Sequence, residues 1–203
     1  MNFETPGTVD TDSAFEKIKE EIALKIERAS ANPLRTSRYL ELEGQIKAQK
    51  DTFFATGAKT EEDLVLDEAI KQEIIGSAAV VDTIPEYTEM LTQISRKYGL
   101  SEEWARDLLA HENAHANVSE QLGYDQIGYG TFFLSNDEGV LESIQPAHIH
   151  EEPNAWKAFE VIENGIKTLE APQEYGNEMS EADISERDEL ARIRTELGLN
   201  DTL

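Results

Sequence analysis

The chain has 203 residues and a formal net charge of −24, because 42 acidic residues stand against 18 basic ones. So negative a surface repels phosphate, which argues against binding of nucleic acid or of an anionic membrane through a basic face. The sequence contains no cysteine, so any metal ion must be held by histidine and carboxylate groups rather than by thiolates.

The first residues, 1–12, are polar and include Pro6 and Gly7. They predict a mobile leader that ends at a helix cap near Asp12 or Ser13. This segment has neither the basic start nor the apolar run of a secretory signal. No other stretch approaches the roughly 18 apolar residues that a membrane helix needs. We therefore expect a cytoplasmic protein without a membrane-spanning segment.

Residues 13–84 predict an N-terminal helical region. Apolar residues recur at helical spacing in three segments, and Thr60 with Asp63 resembles a capping box that begins the third. Residues 76–84 fit a short strand or a buried connection. The region contains no combination of residues that indicates chemistry, so we expect it to pack against the rest of the chain or against a second copy. The expected core positions are Phe15, Ile18, Ile22 and Ile26, then Tyr39, Leu42, Ile46 and Phe53, then Leu64, Leu66, Ile70 and Ile74.

Residues 85–170 predict the region that carries the candidate site. A helix begins at Pro85 and ends at Gly99, and a second helix covers 102–122. Two strands follow, the first through 129–135 and the second from Val140 towards residue 150.

A helix from Asn154 closes this region, and residues 171–203 form an acidic C-terminal helix. The expected fold class is α+β, mainly α, with six or seven helices and a small antiparallel hairpin after the helix 102–122. The sequence leaves the oligomeric state open.

All four histidines lie in two clusters, His111-Glu112-Asn113-Ala114-His115 and His148-Ile149-His150. The first is an HExxH motif, which on a helix sets two imidazoles one turn apart on the same side. Such a pair can hold one metal ion, and the intervening glutamate can take a proton from metal-bound water. In the predicted helix both imidazoles share the apolar face with Trp104 and Leu108, while Glu112 lies at the edge of that face.

The second cluster offers further ligands, because residues i and i+2 of an extended segment point to the same side. His148, His150 or a glutamate such as Glu160 or Glu163 could supply the third ligand. The number of ligands matters, since four protein ligands close a structural zinc site while three leave a position for water. We favour three ligands, and the sequence does not separate His148 from His150.

The segment Leu109-Ala110-His111-Glu112-Asn113-Ala114-His115-Ala116 resembles the active-site helix of zincin metallopeptidases. The resemblance implies that both histidines bind Zn²⁺, that Glu112 is the general base and that a third ligand follows later in the chain. It covers about eight residues and implies a class only. Val118 and Gln121 stand where the metzincin pattern HExxHxxGxxH needs glycine and histidine, which excludes that subclass.

The sequence thus predicts a zinc-dependent hydrolase, a metallopeptidase, acting on a peptide or protein substrate. We expect strand 129–135 to hold an extended peptide. Tyr124 and Tyr129 could stabilise an oxyanion, although aromatic residues at such positions are more often core residues. The alternative is a non-enzymatic acidic helical protein, an interaction or structural module, whose histidines hold a structural metal ion or none.

Overall fold

The computed structural model of the chain describes residues 11–153 and 155–199, so most of the predicted leader lies outside the described part. Seven helices and four strands make up these residues, which confirms an α+β fold that is mainly α. The helices are α1 Thr11–Ala31, α2 Thr36–Thr56, α3 Glu61–Ser77, α4 Ile84–Tyr98, α5 Glu102–Leu122, α6 Ala158–Glu174 and α7 Glu181–Glu196. The strands are β1 Leu34–Arg35, β2 Ala78–Val81, β3 Asp125–Ser135 and β4 Leu141–Glu151.

Local sequence signals explain where several helices begin and end. Capping boxes begin α3, α4 and α7, at Thr60, Thr83 and Ser180 respectively. In each box a hydroxyl accepts a backbone N–H of the first turn, and an acidic side chain three residues later accepts the cap residue's own N–H. Helix α5 ends at Gly123, whose φ of 89° lies in the left-handed region that glycine adopts without steric cost.

The sheet is built around β3. Strand β4 pairs antiparallel with β3 along residues 125–135. Strands β2, antiparallel, and β1, parallel, must therefore share the opposite side of β3. Among the strands of the described residues, β4 pairs with β3 alone, so its outer edge has no strand partner. Pro146 in β4 agrees with this arrangement, because proline within a sheet is confined to edge strands and bulges.

Two hydrophobic clusters hold these elements together. The larger joins α1, α4 and α5 to one face of the sheet through residues such as Ile22, Tyr87 and Phe133. The smaller joins the end of α2 to α6 and α7 through residues such as Phe53 and Ile162. The two clusters fix the faces of α5, α6 and α7, which supply the candidate site.

Two predicted sets of core positions are partly wrong. In α1 Phe15 is 51% exposed. In α3 Ile70 is buried, but Leu64 and Leu66 are each 42% exposed. Residues two apart on a helix differ by about 200° in direction, so these two leucines cannot share the buried face. No helix of the described residues is both long enough and apolar enough to cross a membrane.

Helix α6 also differs from expectation at both ends. Its predicted first residue, Asn154, lies outside the described residues, and the helix begins at Ala158. At the other end it continues through Pro172 to Glu174. A proline has no N–H, so in this last turn the carbonyl of Thr168 lacks the amide donor that a helix normally supplies.

Candidate metal centre

Helix α5 sets His111 and His115 one turn apart, as the HExxH spacing predicts. Their Nε2 atoms are 3.1 Å apart. His115 is 8% exposed and Glu112 is 7% exposed. The three side chains therefore lie at the inner face of α5, in agreement with the helical phase read from the sequence.

Asp183, in the first turn of α7, completes a group of three possible ligands. Its Oδ2 lies 3.1 Å from His111 Nε2, and its Oδ1 lies 3.5 Å from His115 Nε2. Metal-to-ligand bonds of about 2.0–2.1 Å in a tetrahedral zinc site would place neighbouring ligand atoms about 3.3 Å apart. The three contacts, 3.1, 3.1 and 3.5 Å, agree with that spacing.

The other nitrogen of each imidazole bonds to a backbone carbonyl. His111 Nδ1 is 3.1 Å from the Glu178 oxygen, and His115 Nδ1 is 2.7 Å from the Thr168 oxygen. A carbonyl oxygen can only accept, so both rings must carry a proton on Nδ1. In the neutral rings the Nε2 lone pairs then point towards each other and towards Asp183. Bonds of this kind orient the histidine ligands of metal sites.

This arrangement of donors and acceptors favours a cation at the centre. With neutral rings, two imidazole lone pairs and a carboxylate converge with no hydrogen between them. With one ring protonated, its Nε2–H bonds to Asp183 and a proton occupies the centre; with both rings protonated, two adjacent cations face a single carboxylate. The bonds to His111 and His115 hold the pKa of Asp183 well below its usual range in spite of burial, and the bond to Asp183 raises the pKa of His111. The three residues fit a divalent metal ion that accepts nitrogen and oxygen ligands.

Glu112 lies beside this group with a fixed orientation. Its Oε2 accepts the backbone N–H of His148 at 2.7 Å. Burial raises the pKa of this carboxyl above its ordinary value, although the nearby His115 opposes the shift. A general base works best when its pKa lies near the working pH, so a raised pKa makes this carboxyl a better general base at neutral pH.

A cleft of about 1220 Å³ opens over the site. Consecutive β4 residues, 142–148, form one side. The other residues that line the cleft come from α2, α5 and the start of α7, with smaller contributions from β3, α6 and residues 176–179. Successive side chains of a strand point to opposite faces of the sheet. All seven residues 142–148 can therefore line one cleft only if the cleft follows the edge of the strand. The cleft therefore runs along the free edge of β4.

His148 and His150 lie on this wall, outside the group formed by His111, His115 and Asp183. Their Nδ1 atoms are 3.3 Å apart, so the two rings face each other. Burial lowers the pKa of His148 to about 3 and that of His150 to about 4, which keeps both rings neutral near pH 7.

The alternative third ligands, Glu160 and Glu163, have other partners. Glu160 Oε2 accepts the Lys157 N–H at 2.8 Å, and Glu163 Oε1 accepts from Arg194 at 3.1 Å. Both carboxylates thus serve helix α6 and its packing, and neither belongs to the three-residue group.

Tyr124 and Tyr129 are each 6% exposed and belong to the protein interior. The Tyr124 ring meets the rings of His150 and Trp156 edge to face, with centroids 4.4 and 4.6 Å away. The Tyr129 ring stacks on that of Tyr87 at 4.7 Å. Their surroundings are those of core aromatic residues, and neither lines the cleft.

Sequence reasoning missed Asp183 because nothing local distinguishes it. The chain has 42 acidic residues, and Asp183 also forms the capping box that begins α7. The only sequence signal is the pattern Ser180-x-x-Asp183, which marks a helix start and says nothing about a metal. The residue reaches α5 through the packing of α6 and α7, which the sequence does not specify.

The site and the fold were compared with known proteins. No protein-family model matches the chain, and neither curated proteins nor solved structures gave a match.

Proposed function

We propose that this protein is a zinc-dependent hydrolase that cleaves peptide bonds. The observation that carries the proposal is the convergence of His111, His115 and Asp183 beside the buried Glu112 at the floor of a large cleft. Three ligands leave a coordination position for water, as in catalytic rather than structural sites. A zinc ion bound there would supply a nucleophile at neutral pH and polarise the substrate carbonyl.

Glu112 is the proposed general base. Its Oε2 is engaged by the His148 N–H, which leaves Oε1 to accept a proton from the attacking water. The same carboxyl would then pass that proton to the leaving amine. Because the bond to His148 holds the side chain, the carboxylate meets the water without reorganisation.

His148 and His150 are proposed to contact the substrate. Both rings line the cleft and are neutral at the working pH because burial lowers their pKa to about 3 and about 4. A neutral imidazole has one N–H, and the bond between the two Nδ1 atoms uses that of one ring. The other ring can donate its Nε2–H to negative charge that develops on the carbonyl oxygen.

The peptide is proposed to bind along β4. The strand first expected to hold it, 129–135, has partners on both sides and offers no free edge. The outer edge of β4 borders the cleft. Ahead of His148, whose N–H is already bonded to Glu112, this edge can take an extended peptide by strand addition.

The charge of the cleft suggests which peptides are cleaved fastest. Among the described residues that line it, seven are acidic and none is lysine or arginine. We expect peptides with basic residues near the cleaved bond to be preferred. The double variant Glu43→Gln/Glu142→Gln should reduce that preference, whereas Glu20→Gln/Glu27→Gln, which removes the same charge from exposed positions of α1, should not.

Zinc analysis combined with Glu112→Gln tests the proposed function. The protein should retain bound zinc through purification, and it should cleave an unfolded protein. The substitution should leave the zinc in place, preserve the bond from the His148 N–H and reduce the cleavage rate by about 10²–10⁴-fold. Bound zinc without cleavage would favour a non-enzymatic protein with a structural metal ion. Unchanged cleavage in the variant would exclude Glu112 as the base.

A further inference from the structure

The carbonyl of Thr168 is a backbone group of α6 that bonds outside its own helix. In an α-helix the oxygen of residue 168 accepts the N–H of residue 172. Residue 172 is proline, which has no N–H. The Thr168 oxygen instead accepts the Nδ1–H of His115 at 2.7 Å.

Proline acts on this carbonyl in two ways. It removes the amide that would compete for the oxygen, and its ring crowds the carbonyl four residues earlier, which tilts that carbonyl away from the helix axis. Thr168 is only 4% exposed, so without an intrahelical donor its oxygen would be a buried acceptor that lacks a partner. The ring of His115 supplies the missing donor.

The same proline lies where the chain turns towards α7. Its own carbonyl accepts the N–H groups of Tyr175 and Asn177, at 3.2 and 2.8 Å. This turn leads to Glu178, whose carbonyl accepts from His111. The segment 168–183 thus provides both carbonyls that orient the imidazoles, and Asp183 as well.

We propose that Pro172 is a positioning residue, which frees and directs the Thr168 carbonyl so that His115 carries its proton on Nδ1 and presents Nε2 to a metal ion. The effect on metal affinity rests on the proposed function. The effect on the imidazole tautomer does not, because it follows from the hydrogen bond alone. A proline in a helix costs stability, and in this last turn it leaves the Thr168 carbonyl available to His115.

The variant Pro172→Ala restores an N–H that can bond to Thr168. Two measurements are made: the tautomer of His115 in the metal-free protein, by ¹⁵N NMR at alkaline pH, and zinc affinity, by competition with a chelator. We expect a reduced share of the Nδ1–H tautomer and about tenfold weaker zinc binding, since loss of an orienting partner costs 10–100-fold. The thermal midpoint of the metal-free protein reports the change in stability separately, because alanine favours the helix but fills less of the buried space than the proline ring.

The control is Asn164→Ala, which also improves the helix propensity of α6 but leaves the Thr168 carbonyl untouched. It should raise the thermal midpoint and alter neither tautomer nor zinc affinity. An unchanged His115 tautomer in Pro172→Ala would overturn the proposal, whatever the zinc result. A shifted tautomer in a protein that binds no zinc would support the proposal and contradict the proposed function.

Discussion

The two histidine pairs have similar chelating patterns in the sequence but different surroundings in the fold. His111 and His115 each bond to a backbone carbonyl through Nδ1 and share the carboxylate of Asp183. His148 and His150 face each other on the cleft wall, with their Nδ1 atoms 3.3 Å apart. In the first pair, backbone carbonyls fix the tautomer of each ring and a carboxylate contacts both rings. In the second pair the rings bond to each other, which does not determine which ring donates the proton.

This difference indicates what a histidine pair needs, besides its spacing, in order to hold a metal ion. Spacing brings two nitrogens together, but a cation also needs lone pairs oriented by hydrogen bonds on the far side of each ring and a compensating negative charge. Helix α5 meets both needs because the segment 168–183 lies against it. Strand β4 borders the open cleft, which suits contact with a substrate better than closure of a metal site.

The largest expected effect is the loss of zinc affinity when Asp183, the carboxylate found only beside the first histidine pair, is replaced. The variant Asp183→Asn keeps the size of the side chain and removes its charge, so zinc affinity should fall by at least about 100-fold. The double variant His148→Ala/His150→Ala should keep its zinc affinity within a few fold. Chelator competition measures both, and Asp188→Asn on the same helix serves as the control for a lost charge. Equal losses in the two variants would mean that both pairs hold the ion.

An intermediate effect concerns stability in acid. Because the pKa of His148 and of His150 is depressed to about 3 and about 4, the unfolded chain takes up protons below about pH 6.5 while the folded chain does not. Their contribution to stability is thus fully present above that pH and is lost as pH falls towards 4.

The unfolding free energy of the parent protein falls between pH 6.5 and pH 4. Replacing both residues by glutamine should make this decrease smaller by about 2–4 kcal/mol in total. Urea unfolding of metal-free protein at a series of pH values measures this. Parallel curves for the variant and the parent protein would show that the two rings are solvated rather than buried.

The smallest effect concerns the support of Asp183 by its helix cap. The Ser180 N–H and hydroxyl donate to Asp183 Oδ2 at 2.9 and 2.7 Å. Ser180→Ala should cost about 1 kcal/mol of stability and weaken zinc binding by less than about tenfold. Thr83→Ala removes the equivalent cap of α4, so it should cost similar stability and leave zinc affinity unchanged. A zinc effect of equal size in both variants would assign the loss to general destabilisation.

The sequence predicted those features that depend on neighbouring residues. Capping residues and glycines set several helix boundaries, such as Thr60 and Gly99, and the helical phase correctly turned His111 and His115 inward. Strand β2 is one of the two structures that residues 76–84 fit, the other being a buried connection, and β3 and β4 lie near their predicted positions. In each case the information lies within a few residues of the feature.

Features that depend on distant segments were not predicted. Asp183 joins the site across 68 residues from His115 because α6 and α7 pack together against α5, and a helix-capping aspartate carries no sign of that contact. The free edge of β4 follows from the placement of β1 and β2 on the other side of β3, which strand propensity alone does not specify.

X-ray absorption spectroscopy at the zinc edge tests the central claim most directly, because it counts the imidazoles bound to the ion. The account predicts two imidazole nitrogens and additional oxygen ligands at about 2.0–2.2 Å, with the same spectrum after His148 and His150 are replaced. Three or four imidazoles in the parent protein, reduced to two in that variant, would contradict it.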